Sequence, residues 1–221
     1  MYYQSPLLKK IPGIYHGFGT KADPVATPLL KIWNDEKPQW NQVHGIEIAE
    51  IKKPNQKLGD VDAMITSTLH PIGIVTADCV PLLFAKEDGS FVGAFHAGWR
   101  GTLAKAAEAF TNRLLIMGED PKNWMVSIGP AIRSCCYQVS AELITQFKQA
   151  FPYIDPKVIE PTERKLDLQA IHAKELERLG YKKFDILEHC THCEIEGNST
   201  VFHSYRRDGS GTRQWSIICR D

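Results

Sequence analysis

The chain has no surplus of either charge: Lys plus Arg and Asp plus Glu number 26 each, for a formal net charge of zero at pH 7. Without an overall field, nothing draws it to nucleic acid or to an anionic membrane surface, and a small-molecule partner is expected instead. It also lacks an apolar run of membrane-spanning length, so no membrane association is expected. Residues 1–10 carry their lysines after the only short apolar pair, the reverse of a signal peptide's order, so a cytoplasmic protein is expected. In that reducing setting the six cysteines (Cys79, Cys135, Cys136, Cys190, Cys193 and Cys219) are expected as thiols or metal ligands rather than disulfides. No internal repeat, low-complexity tract or charged linker divides the 221 residues. One domain spanning 1–221 is therefore expected, and a hydrophobic fraction of 43% suffices for its core.

The strand and helix signals are unevenly spread. The first forty residues are rich in Pro, Gly and aromatics without a sustained period, which predicts short strands and ordered loops. Alternation of Val43, Ile46, Ile48 and Ile51 with polar neighbours predicts a strand that begins just after His44. Further strands are predicted over 63–66, 72–76, 80–85 and 91–95, with Asp88-Gly89 as the hairpin turn between the last two. Such a hairpin allows Cys79, just before one strand, and His96, just after its partner, to meet. Leu103, Ala107, Phe110, Leu114 and Met117 recur at helical spacing, and Gly118 is placed to cap that helix. Arg100 then stands near its N-terminus, where free N–H groups favour an anion. A strand over 124–128, helices capped by Ser140 and Asp167, and strands over 183–187, 201–205 and 215–219 complete the chain. Three helices among runs of consecutive strands predict an α+β architecture rather than regular βαβ winding.

Three metal-ligating side chains stand at the ends of separate β segments: His44 in Asn41-Gln42-Val43-His44-Gly45, Cys79 in Thr76-Ala77-Asp78-Cys79, and His96 in Phe95-His96-Ala97-Gly98-Trp99-Arg100. Two imidazoles and a thiolate suit Zn(II) and leave the fourth tetrahedral position open, the pattern of a catalytic site. The ligands are not in a compact motif such as His-Glu-x-x-His, so on the residues alone three ordinary, partly buried side chains stand beside the metal reading. Asp78 is the nearest carboxylate for moving protons, and equally a turn carboxylate; Arg100 suits an anion, and equally a surface ion pair. Asn41 and Gln42 could hydrogen-bond a base or ribose, or brace the backbone. Tyr205, Arg206, Arg207 and Arg213 form a late basic cluster that suits phosphate, a partner subunit or solvent.

Six ordered blocks together resemble one family. They are Asn41-Gln42-Val43-His44-Gly45, Gly59-Asp60-Val61-Asp62-Ala63-Met64-Ile65-Thr66, Thr76-Ala77-Asp78-Cys79-Val80-Pro81-Leu82, Phe95-His96-Ala97-Gly98-Trp99-Arg100-Gly101-Thr102, Ile128-Gly129-Pro130-Ala131-Ile132 with Cys136-Tyr137, and Ser204-Tyr205-Arg206-Arg207-Asp208. They are similar to the successive signatures of the YfiH family, once labelled polyphenol oxidase or laccase and now read as purine nucleoside phosphorylases. The resemblance implies a single zinc held by His44, Cys79 and His96, and phosphorolysis of adenosine, inosine and methylthioadenosine together with adenosine deamination. It further implies purine nucleoside and phosphate as substrates; with those, the residues themselves offer Arg100, at a helix mouth, as the partner of the phosphate group, and Asn41, Gln42, Arg206 and Arg213 as candidate substrate contacts. The implied fold is a sandwich of mixed β-sheets flanked by helices, like the catalytic domain of cytotoxic necrotising factor. Some members are linked to editing of peptidoglycan precursors.

Two stretches depart from the family pattern. Gly211-Thr212-Arg213 stands where Thr-Gly-Arg is expected, and Glu188-His189-Cys190-Thr191-His192-Cys193 adds a second His and Cys. The latter has Cys-x-x-Cys spacing, but only the adjacent Cys135 and Cys136 could complete a metal site, so packed thiols are expected. None of the eight histidines forms a His-x-His pair, which argues against multicopper oxidation. Two other functions remain open. In one, Cys79 is a nucleophile activated by His96 in a hydrolase acting on cell-wall precursors. In the other, the metal only stabilises a nucleotide-binding module, with His70 as a closing fourth ligand.

Overall fold

The near-continuous apolar runs after Asp60 form the centre of the molecule, as expected of strands covered on both faces. In the computed structural model, which describes all 221 residues, Val80–Lys86 and Val92–Ala97 pair as an antiparallel hairpin. Its turn lies where the sequence predicts, and Gly89 there takes φ +72°, a conformation open to glycine at no steric cost. The hairpin sits inside a six-stranded sheet ordered Lys183–Ile186, Trp124–Ile128, Val80–Lys86, Val92–Ala97, Ala63–Thr66 and Ile48–Glu50. The pair at each edge is parallel and the inner pairings are antiparallel.

A smaller antiparallel sheet of Ile14–Phe18, Gln214–Arg220 and Ile72–Thr76 lies against one face of the large one. Ile72, Ile74 and Ile218 meet Leu83, Val92 and Ala94 there, a core between two sheets. Helices Ala106–Ile116, Ala141–Ala150 and Leu168–Arg178 cover the opposite face, where Phe110, Phe147 and Ile171 share a core with Phe84, Phe95 and Val126. Phe110 stacks on Phe84 at 4.1 Å between ring centroids. Gly93 makes this approach possible, because a Cβ there would overlap the Phe110 ring. Burying that phenyl contributes about 1.5–3 kcal/mol. The result is the expected α+β sandwich of mixed sheets flanked by helices. No helix is long and apolar enough to cross a membrane.

The caps predicted from sequence are present: Ser140 accepts from the Leu143 N–H, Asp167 from the Ala170 N–H, and Gly118 takes φ +81°. Several elements differ from expectation. The strand predicted after His44 is confined to Ile48–Glu50, because residues 43–45 are pulled out of extended geometry by hydrogen bonds to Asp62. The single helix predicted after Gly101 is two, Trp99–Leu103 and Ala106–Ile116, broken at Lys105, whose φ is +63° and whose ammonium lies 3.4 Å from the Phe151 ring centroid. Cation–π attraction of that kind offsets the backbone strain. The strand predicted over 201–205 is absent; Ser204 instead caps the short helix Tyr205–Asp208 by accepting from the Arg207 N–H. Residues 30–36, expected as loop, form helix Leu30–Glu36 over the small sheet, with Trp33 packed on Ile217.

Candidate functional site

The strand register brings the three candidate ligands together. Val80 pairs with Ala97 across the hairpin, so Cys79 comes level with Gly98 just beyond His96. Ala63 pairs with Phe95 on the other side, and the His96 N–H donates to the Asp62 carbonyl at 2.8 Å. The Asp62 side chain, 1% exposed, then organises the third ligand. Its Oδ1 accepts from the His44 N–H at 2.9 Å and from His96 Nδ1 at 2.8 Å, and its Oδ2 from the Gly45 N–H at 2.7 Å and the Val43 N–H at 3.2 Å. One carboxylate thereby shapes the loop that carries His44, at φ +64°, and fixes the His96 ring with Nε2 free. Burial also favours the neutral acid, but the His96 hydrogen bond and the backbone donors outweigh it and hold Asp62 below the usual carboxylate range.

His44, Cys79 and His96 form a group able to hold a metal ion, with their ligating atoms all within 4.8 Å of one another. The two imidazoles meet at 79° with centroids 4.8 Å apart. Burial pushes the Cys79 thiol up, yet the hydrogen bonds and charge of His44 and His96 outweigh it and bring it from 9.0 to about 6. Burial opposes charge on His96, and Asp62 and Cys79 override it to raise its pKa to about 9. In the metal-free protein, a thiolate thus faces an imidazolium at neutral pH. Glycine at position 98 leaves room for the group, since a Cβ there would lie a tight 3.0 Å from Cys79 Sγ and 3.1 Å from His44 Cδ2. One imidazole fixed by a carboxylate, a second on a loop that the same carboxylate shapes, and a ready thiolate make a donor set suited to a borderline-soft divalent cation.

The three ligands line a cleft of about 420 Å³ together with Gln42, Asp78, Arg100, Arg206 and Arg213. The Arg100 guanidinium stacks on Trp99 at 4.7 Å and makes no hydrogen bond or ion pair, and that of Arg213 likewise lacks a partner. Arg206 is held more firmly: its guanidinium donates to the Gln138 carbonyl at 2.7 Å and lies over the Tyr137 ring. Asp78, at φ +87°, occupies the crossing between the two sheets. Its Oδ1 accepts from Thr191 Oγ1 at 2.6 Å, and its Oδ2 from the Arg206 N–H at 2.7 Å and Ser204 Oγ at 3.0 Å. Gln42 exchanges both amide hydrogen bonds with the Val75 backbone, at 2.7 and 3.1 Å, and so braces the cleft wall. Asn41 lies outside the cleft and donates to Asp60.

Sequence reasoning missed Asp62, although its block was in view; a carboxylate placed immediately before a strand that pairs with the His96 strand was the available signal. It also missed the aromatic and apolar lining by Trp99, Tyr137 and Leu168, which comes from three separate elements. His70 does not close the metal group. Its Nδ1 is paired with Glu36 Oε2 at 2.6 Å instead. Cys135, Cys136, Cys190 and Cys193 are not dispersed packed thiols, because their sulfurs converge within 4.8 Å of one another.

Comparison with known proteins agrees with this architecture. A purine nucleoside phosphorylase of Deinococcus radiodurans is 32% identical over 187 residues, covering 83% of this chain and 70% of the relative. Adenosine deaminase RL5, from an unknown prokaryotic organism, is 34% identical over 166 residues, covering 72% of this chain and 62% of that protein. The crystal structure of the Bacillus licheniformis hypothetical protein YfiH superposes with a TM-score of 0.85 at 23% identity, covering 100% of this chain and 99% of that one. Residues 29–221 match the family model described as multi-copper polyphenol oxidoreductase laccase, and with these relatives the match shows that the chain belongs to the YfiH family.

Proposed function

We propose that the chain is a zinc-dependent purine nucleoside phosphorylase that also deaminates adenosine. One observation carries this reading: an N,N,S ligand set lines the same cleft as Arg100 and Arg213, two guanidiniums without acidic partners. In phosphorolysis a phosphate oxygen forms a bond to C1′ of the ribose, and the electron pair of the broken N-glycosidic bond leaves with the base, which takes up a proton. Arg100 and Arg213 bind the phosphate, and Arg206, clamped by Gln138 and Tyr137, borders it. Trp99, Tyr137 and the exposed Tyr205 offer flat faces for a purine. His44, Cys79 and His96 would hold the zinc, which when bound would supply Lewis acidity in the cleft. In deamination a water oxygen bonds to the purine C6 and ammonia leaves. Asp78 is the one carboxylate lining the cleft and the candidate proton carrier, a role that requires one of its hydrogen bonds to Thr191, Ser204 or Arg206 to open.

The relatives named purine nucleoside phosphorylase and adenosine deaminase support the same reading. The copper chemistry in the family description finds less support, because only two histidines line the cleft and no His-x-His pair is present in the chain. The test is to incubate the purified protein with adenosine, with and without phosphate, and to resolve adenine, inosine and hypoxanthine. Adenine is expected only with phosphate, and inosine in its absence. Arg100→Ala is expected to raise KM for phosphate about tenfold or more, the loss of one charge-assisted contact. Turnover unchanged by Cys79→Ala would refute the reading.

A further inference from the structure

Cys135 and Cys136 lie on the turn that follows strand Trp124–Ile128, and Cys190 and Cys193 on the loop that follows strand Lys183–Ile186. These strands are parallel neighbours, and their pairing continues beyond the sheet in a parallel bridge between Ala131 and Cys190. The two connections are thereby held side by side at the same sheet edge. All four side chains are free thiols. Their sulfurs lie within 4.8 Å of one another, and Cys135 Sγ is 3.8 Å from Cys193 Sγ.

That separation has a direct chemical reading. A tetrahedral zinc with Zn–S bonds of about 2.3 Å has sulfurs about 3.8 Å apart along each edge, whereas a disulfide needs about 2.05 Å. The backbone has the matching form. Cys190-Thr191-His192-Cys193 makes a tight turn in which the Glu194 N–H donates to the Cys190 carbonyl at 3.1 Å. Two cationic side chains brace the same loops: Lys165 Nζ reaches the Cys135 carbonyl at 3.4 Å, and Arg207, itself paired with Asp208, donates to the Thr191 and His192 carbonyls.

We propose that Cys135, Cys136, Cys190 and Cys193 form a second metal site, which binds one zinc(II) as a closed tetrathiolate and fastens the wall of the cleft. With four protein ligands the site is structural. Its placement says what it fastens. Ile132, three residues before Cys135, donates its N–H to the Asp78 carbonyl at 2.9 Å, and Thr191, beside Cys190, donates its hydroxyl to Asp78 Oδ1 at 2.6 Å. Tyr137, next to Cys136, lines the cleft and carries the Arg206 guanidinium. The clip therefore ties together two loops that both hold Asp78, the residue before Cys79.

The full chain, purified under reducing conditions, loaded with zinc and desalted, is assayed for bound metal by mass spectrometry. Two equivalents are expected for the native sequence, one for Cys79→Ala, one for Cys193→Ser and none for the double variant. If the cleft does not bind zinc but the tetrathiolate does, the native protein and Cys79→Ala each carry one equivalent and Cys193→Ser none. That result refutes the catalytic-zinc reading alone. A Cys79→Ala protein without zinc, or a Cys193→Ser protein with undiminished zinc, overturns the tetrathiolate. Thiol titration of the unmutated protein guards against misfolded variants. Cys135 and Cys193 are exposed, yet in the zinc-loaded protein they are expected to resist a thiol reagent until a chelator is added. Immediate reaction of both in the loaded protein overturns the proposal as well.

Discussion

Replacing Asp62 by asparagine removes a single charge and nearly no volume, yet the structure leaves the amide no orientation that works. With Nδ2 in place of Oδ2, it meets the Gly45 and Val43 N–H groups, at 2.7 and 3.2 Å from that oxygen. Two half-buried donors then lose their acceptor, each at a cost toward the low end of the roughly 1–3 kcal/mol of a fully buried one. With Nδ2 in place of Oδ1, it meets the His44 N–H and His96 Nδ1. The His96 proton must then move to Nε2, the nitrogen that faces Cys79 and would ligate the metal. Either way the ligand set is impaired, and loss of a second-sphere carboxylate of this kind costs about 10–100-fold in metal affinity. Competition with a chromophoric chelator measures zinc affinity, and thermal unfolding of the metal-free protein measures the backbone cost. Asp62→Asn protein that binds zinc within about threefold of the native protein would refute the assignment of Asp62 as the organiser of the site, threefold being well short of the expected range.

Gly98→Ala isolates the steric part of the same site. Gly98 has φ −75°, open to any residue, so the added methyl acts only on Cys79 Sγ and His44 Cδ2, at 3.0 and 3.1 Å. Zinc affinity is expected to fall about tenfold or more while metal-free stability changes by less than ~1 kcal/mol, the usual scale for a site without a buried defect; chelator competition and urea unfolding separate the two. In the zinc-free protein, peptide-resolved alkylation of Cys79 is expected to rise through about pH 6 and to fall below it as the thiolate is protonated. An inflection near pH 8.5, about that of a free cysteine, would show that His44 and His96 do not hold the thiolate.

Local chemistry was legible where it acts within a few residues. The Asp88-Gly89 turn, the Ser140 and Asp167 caps and the Gly118 stop all depend on one backbone conformation or one side-chain acceptor, and each appears as read. Alternation after Val43 misled because residues 43–45 answer to Asp62, 17 to 19 residues further on, and not to their own periodicity. Lys105 breaks a helix whose apolar spacing is continuous, since the ring that holds its ammonium, Phe151, belongs to another segment. The convergence of His44, Cys79 and His96 was anticipated through the family resemblance, and their separate β ends did not by themselves distinguish a metal group from buried side chains. The convergence of Cys135 and Cys136 on Cys190 and Cys193 depends on two parallel strands being neighbours, which spacing along the chain does not encode.

The balance of 26 basic and 26 acidic residues conceals a separation of charge that bears on the site. Both carboxylates nearest the ligands are consumed by the fold: Asp62 accepts four hydrogen bonds and Asp78 three, at 1% and 8% exposure. Those backbone N–H groups, hydroxyls and one imidazole screen the two carboxylates. Arg100 and Arg213 have no ion pair and line the same cleft as His44, Cys79 and His96. A neutral chain can thus present an anion-attracting cleft, because its carboxylates there are covered by donors while two guanidiniums stay unpaired. Such a field is local, and it suits a small phosphate more than a polyanion that would need a basic surface.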